Sequence, residues 1–282
     1  MDLFFDRFPQ LTFEISPDTV NTDTYRQLIN ANMLPEELIS RFKDEVRAEI
    51  LTPFEDQRIY CFTFRLREDF EHAVRSILYR CEPKPIPLTT GAMVIFGVRN
   101  AEKVETELRA AGAKGEEERT DALRRLRALP DWKQRFTEAV FLISTGPYSN
   151  VPAEAVGMDT EEWKNVSGRI RLYHELSHVF SRRFYPEHKE AVRDEVIADA
   201  IGLLYAFGKY DAALGRRVIG IGPDGYMPGG RLENYVEREL LPGAVETVYA
   251  VSNAAEQAIG EMIGLSPIEV LRALEEERIG ML

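Results

Sequence analysis

Two imidazoles four residues apart, with a carboxylate directly after the first, make up the stretch His174-Glu175-Leu176-Ser177-His178. Positions i and i+4 share one face of an α-helix, about one turn apart, so both imidazoles reach one metal ion if the segment is helical. The chain has only four His, and three of them fall between positions 174 and 188. Around the motif, Leu172, Leu176 and Val179 form one stripe at helical spacing. His174, Ser177, His178 and Ser181 form another, which is polar. This division predicts a helix buried on its apolar side and lining a cleft with its His side.

The spacing matches the HExxH pattern of zinc hydrolases, in which two His hold the metal and the Glu acts as general base. Catalytic zinc takes three protein ligands and keeps one position open for water, so a further ligand is required. Asp194-Glu195-Val196-Ile197-Ala198-Asp199-Ala200-Ile201-Gly202 offers one. Glu195 and Asp199 lie on one helical face with Ala198 and Gly202, whose small size would let this helix approach the motif helix closely. Glu195 is then the expected third ligand and Asp199 the hydrogen-bond partner of a ligating His. Asp194 is a fallback ligand for a different helix phase. His188 lies ten residues after His178, and Ser181 stands where a metzincin needs Gly, so that pattern fails and His188 is read as a loop residue. His72, far upstream among charged neighbours, is expected to be exposed.

HExxH followed by a helix carrying ExxxD resembles the gluzincin group of zinc metallopeptidases, over about residues 170–205 and with 16 residues between His178 and Glu195. The resemblance implies a zincin-like helical part in which one Zn²⁺ is held by His174, His178 and Glu195. Asp199 would orient His174, and Glu175 would be the catalytic base. It also implies a Tyr or His from outside the two helices to stabilise an oxyanion. Tyr226, in a glycine-rich loop spanning Gly220 to Gly230, is the first candidate, with Tyr235 and Tyr205 behind it.

Composition limits the setting. Asp and Glu number 47 against 35 Lys and Arg, a formal charge of −12, which repels nucleic-acid backbones. Cys61 and Cys81 are the only cysteines and form no CxxC pair, so they are expected to be buried, reduced thiols. The first seven residues lack the basic region of a signal peptide, and no apolar run reaches the roughly 18 residues of a membrane span. The expectation is a cytoplasmic protein with no membrane partner.

The remaining pattern is α+β and helix-dominated, with a small mixed sheet in the N-terminal half. Pro35 opens a predicted helix running to about Ile50, with Leu38, Ile39, Phe42, Val46 and Ile50 on one side. Strands are predicted over Arg58–Leu66, Ala92–Val98 and Ala139–Ser144, and helices over Asp69–Tyr79 and from the Asn100 cap to about Ala111. Residues 116–138 form a charged helical stretch interrupted near Pro130. Asp159 begins a capping box for the motif helix, which is expected to break near Ser167-Gly168. Ala191–Phe207 is strongly helical, and Ser266-Pro267 opens a last helix. The predicted organisation is an α/β domain over residues 1–130, of unassigned role, and a metallopeptidase-like domain over 131–282, with the boundary between 115 and 140. The expected function is zinc-dependent hydrolysis of an amide bond in a peptide or protein. The alternative is a metal-binding or degenerate-peptidase module that serves recognition.

Overall fold

The computed structural model describes residues 2–55 and 57–277. The chain forms two compact units, one of residues 1–86 and 93–144, the other of residues 87–92 and 145–282. It is α+β and dominated by helices.

In the first unit a one-turn helix, α1 (Asp2–Phe5), precedes α2 (Asp23–Ala31), which is capped by the Thr22 side chain. Strands β1 (Arg47–Phe54) and β2 (Gln57–Phe64) form an antiparallel pair. Helix α3 (Arg67–Leu78), β3 (Ala92–Arg99) and helices α4 (Ala101–Ala110), α5 (Glu116–Arg127) and α6 (Trp132–Phe136) follow. Strand β4 (Thr137–Ser144) completes a mixed sheet of order β1-β2-β4-β3. β2 and β4 run parallel, with Ile59 opposite Ala139 and Phe64 opposite Ser144, and both read as nearly continuous apolar runs because both faces are covered. Tyr60, Phe62 and Phe64 of β2 pack with Phe8, Phe70, Val140 and Leu142 in the core. Since β4 is an inner strand of this sheet, the division between units falls at 144/145 and not near 130.

Two expectations need correction here. Residues 32–46 form no helix, and Arg47 to Phe54 are a strand. Leu38, Phe42 and Val46 do pack on the core, but Ile39 and Ile50 are 55% and 45% exposed. Backbone N–H groups of Lys43 and Asp44 are taken by the Asp69 carboxylate, and pairing with β2 takes the segment beyond them, so a helical pattern yields to tertiary partners. His72 is half-buried, with Nε2 3.1 Å from the Leu11 carbonyl oxygen and its ring edge-on to Phe42. Cys61 and Cys81 are buried and unpaired, as expected.

The second unit is helical. Helix α7 (Thr160–Phe184) starts at the Asp159 cap and runs unbroken through Ser167-Gly168. Then come α8 (Ala191–Phe207), α9 (Ala212–Ile219), a two-stranded ribbon of β5 (Ile221–Gly222) and β6 (Gly225–Tyr226), α10 (Leu241–Glu261) and α11 (Pro267–Glu276). The last helix opens at Ser266-Pro267 as predicted, with a capping box formed by Ser266 and Glu269. Every residue from Val196 to Leu203 is buried, because α7, α9, α10 and α11 all pack on α8. This shifts the expected sides of the motif helix. Val179 is buried as expected, but Leu172 and Leu176 stay partly exposed, while Ser167, Ile170, His174 and Ser177 are buried.

α11 is locked onto this bundle by a buried ion pair. The Glu275 carboxylate accepts from Ser181 Oγ at 2.6 Å and Arg193 Nη1 at 3.0 Å, and His188 Nδ1 lies 3.2 Å away. His188 is therefore a structural partner of Glu275. The side chains of Arg193 and Glu275 are 2% and 1% exposed, so Glu275→Ala takes from a buried guanidinium the nearer of two carboxylates, Asp194 Oδ1 lying 3.5 Å from Arg193 Nη1. The expected loss is about 3–5 kcal/mol in urea unfolding at pH 7. Burial alone would raise the Glu275 carboxyl, but its bonds to Ser181, His188 and Arg193 outweigh this and hold it below its ordinary value of 4.5. A depressed pKa gives stability that is complete above the ordinary value and is lost as pH falls through the folded one. The gap between wild type and variant should therefore shrink below pH 4.5.

Candidate metal centre

The centre is built where α7 and α8 touch. A Cβ placed on Gly202 would lie 2.8 Å from the Ile170 carbonyl oxygen and 3.5 Å from His174 Cβ, so glycine is what permits this approach. His174 and His178 are one turn apart, with Nε2 atoms separated by 3.2 Å and ring planes at 84°. From α8, Glu195 brings Oε1 to 3.2 Å from His178 Nε2 and Oε2 to 3.4 Å from His174 Nε2. Tetrahedral donors bound at about 2.0–2.1 Å lie about 3.3–3.4 Å apart, so the spacing fits one small ion. Two imidazoles and a carboxylate are also a donor set that suits zinc. Among the described residues, these three are the group of His, Cys, Asp and Glu close enough to hold a metal together. Asp194 is not one of them.

Asp199 lies where the sequence predicts it, with Oδ1 2.9 Å from His174 Nδ1. Donation by Nδ1–H leaves Nε2 as the lone-pair nitrogen that a metal needs. Two residues the sequence reading missed complete the network. Arg231 donates from Nη2 to Asp199 Oδ2 at 2.7 Å and to Glu195 Oε2 at 3.3 Å. Tyr148 donates its hydroxyl proton to Asp199 Oδ1 at 2.5 Å and accepts from Arg231 Nη1 at 3.0 Å. Burial would raise the Asp199 carboxyl, but Arg231 and His174 hold it below the usual carboxylate range. Burial would lower His174, but Asp199 and Glu195 lift it to about 9 without a metal. With neutral imidazoles, two buried carboxylates face one buried guanidinium, and the surplus negative charge favours a cation.

Local chemistry explains both placements. Gly220 adopts φ +103°, and its Cβ would meet Gly230 Cα at 2.7 Å, so the loop closes only with glycines back to back. The residue after this pinch is Arg231. On the other side, Ser167 Oγ accepts from Tyr148 N at 2.8 Å, and Arg171 donates to the carbonyls of Gly146 and Pro147. Ser149 and Asn150 are left-handed, with φ 49° and 59°, and Ser149 Oγ accepts from Arg231 Nη1 at 2.9 Å. An Arg directly after Gly-Gly and a Tyr inside a Gly-Pro turn were the visible signals.

A cleft of about 100 Å³ opens beside the centre, lined by His174, Glu175, Tyr148, Arg231, Tyr235 and the segment Thr89–Ala92, among others. Among the described residues, no hydrogen bond or ion pair engages the Glu175 carboxylate. Tyr226 does not line this cleft. It pairs with Ile221 in the ribbon and sits beside Glu233, and burial together with that carboxylate pushes its hydroxyl up to about 12. Tyr235 lines the cleft instead, bonded to Glu195, and Tyr205 stacks on Tyr173 with ring centroids 3.5 Å apart. The glycine pinch delivers residues 231–235 to the centre and keeps Tyr226 in the ribbon.

Residues 2–264 match the model of a family described as "Family of unknown function (DUF7005)". The chain belongs to that family. The match takes in all of the centre's residues and stops before α11. No curated protein and no solved structure matches the chain.

Proposed function

We propose that this member of the family is a zinc-dependent metallohydrolase, acting most naturally on an amide bond in a peptide or protein. The observation that carries the reading is the pairing of a three-donor cluster with an unengaged carboxylate, Glu175, in one cleft. His174, His178 and Glu195 would hold the ion. A zinc ion so held supplies Lewis-acid polarisation and lowers the pKa of water towards about 7. Glu175 accepts the proton of the attacking water and delivers it to the leaving nitrogen. Asp199 keeps the His174 proton on Nδ1, and Arg231 and Tyr148 keep Asp199 in place. The gluzincin resemblance of the two helices points the same way. A cleft of only about 100 Å³ favours a second reading, in which the centre binds metal and serves recognition without turnover.

The test is the metal content of protein purified without chelator, wild type beside Glu195→Ala. Near-stoichiometric zinc in the wild type and a sharp loss in the variant are expected. A wild type that is metal-free and takes up no added zinc would overturn both readings. Cleavage of a diverse peptide library by zinc-loaded protein separates the first reading from the second.

A further inference from the structure

We propose that a cavity in the sheet-containing unit, separate from the metal centre, binds a small molecule carrying several phosphate groups. The cavity measures about 580 Å³, within the roughly 300–1,000 Å³ of small-molecule sites. Arg26, Arg80, Arg99 and Arg127 all line it, and no Asp or Glu does. Among the described residues, none of these four arginines forms an ion pair. Elsewhere in the unit, Arg7, Arg75, Arg109 and Arg119 each have a carboxylate within reach. A chain with a 12-charge acidic surplus thus leaves four guanidiniums unpaired around one hollow.

Structural duties account for only part of this arrangement. Arg99 donates to the carbonyls of Ile29 and Leu28, and Arg127 donates to that of Ile29, so both cap the C-terminal end of α2. A helix end carries about half a negative charge, which is well short of two guanidiniums. Arg26 donates to the Asn21 side chain, and Arg80, held at φ 53°, has no side-chain hydrogen bond among the described residues. Burial, and then the charge of Arg127, bring the Arg99 guanidinium down to about 10, the mark of a cation short of a counter-charge. The buried Ser76 hydroxyl also lines the cavity, with the Cys81 thiol as its neighbouring polar group. Guanidinium forks fit phosphate oxygens two at a time, and several forks around one hollow select a ligand with several such groups. Val20, Ile29 and Tyr25 provide an apolar and aromatic wall for an organic moiety of nucleotide size. The acidic surface disfavours a long polyanion, which leaves a ligand small enough to enter.

The test is calorimetric titration of the full chain with sodium tripolyphosphate and with ATP at low salt. A His178→Ala chain runs alongside, so that phosphate binding to a metal at the centre is separated from binding here. Both probes are expected to bind the parent and His178→Ala alike. Arg80→Gln and Arg127→Gln should each weaken binding about tenfold or more, with the thermal melting of Arg80→Gln unchanged. Failure of both probes to bind at millimolar concentration would overturn the proposal. So would binding to either Gln variant as tight as to the parent, or loss of binding in His178→Ala.

Discussion

Glu175→Gln is expected to keep its zinc and to lose hydrolysis by roughly 10²–10⁴-fold, the usual contribution of a positioned acid–base group. The substitution is nearly isosteric, and no other side chain depends on the Glu175 carboxylate. The three candidate donors, His174, His178 and Glu195, are left unchanged, so the groups that would hold the ion are not removed. What changes is the ability to take a proton. The measurement is zinc content and peptide-library cleavage on the same preparation. Full activity in the variant would remove Glu175 as the base. Loss of zinc would show that it helps to hold the ion.

Arg231→Ala is expected to cost about 3–5 kcal/mol in metal-free protein, because it takes the guanidinium from the buried Asp199 carboxylate and the largely buried Glu195 carboxylate. The Arg231 side chain is only 7% exposed, so water cannot replace it without opening the loop. The same charge argument sets the sign of a second effect. Without the guanidinium the centre carries more negative charge, and a divalent cation should compensate for part of the loss. Zinc should therefore raise the unfolding midpoint of Arg231→Ala by more than it raises that of wild type. Arg231→Lys should fall between the two, keeping the charge but not the fork that spans Asp199, Tyr148 and Glu195. Equal stability of wild type and Arg231→Ala in chelator would end this account of the network.

The centre was legible in the chain to the extent that its chemistry is local. His174, His178, Glu195 and Asp199 follow from helical spacing alone, and Gly202 signals the close approach that joins the two helices. Arg231 and Tyr148 were illegible because loops place them, and loop geometry depends on contacts distant in sequence. The choice of Tyr226 over Tyr235 failed for the same reason, since membership of a glycine-rich loop does not say which side of a pinch faces the centre. In the sheet, the apolar runs of β2 and β4 announced themselves. Residues 35–50 read as helical because a five-residue apolar pattern also suits an irregular segment followed by a strand. Asp69 and β2 then decided which structure formed.

The segment Pro87–Ala92 has a consequence for anyone who dissects this protein. It belongs to the helical unit although the chain on either side of it belongs to the sheet unit. Thr89 accepts a hydrogen bond from Asn234, and Gly91 lies so close to the Arg171 guanidinium that a Cβ there would collide with it. A fragment begun at residue 145 would carry every metal donor and still lack one wall of the cleft. Separating the units by a single cut would give a piece holding the candidate centre with an altered entrance, and, on the proposed reading, a truncation that kept zinc but changed its substrates would be reporting that missing wall.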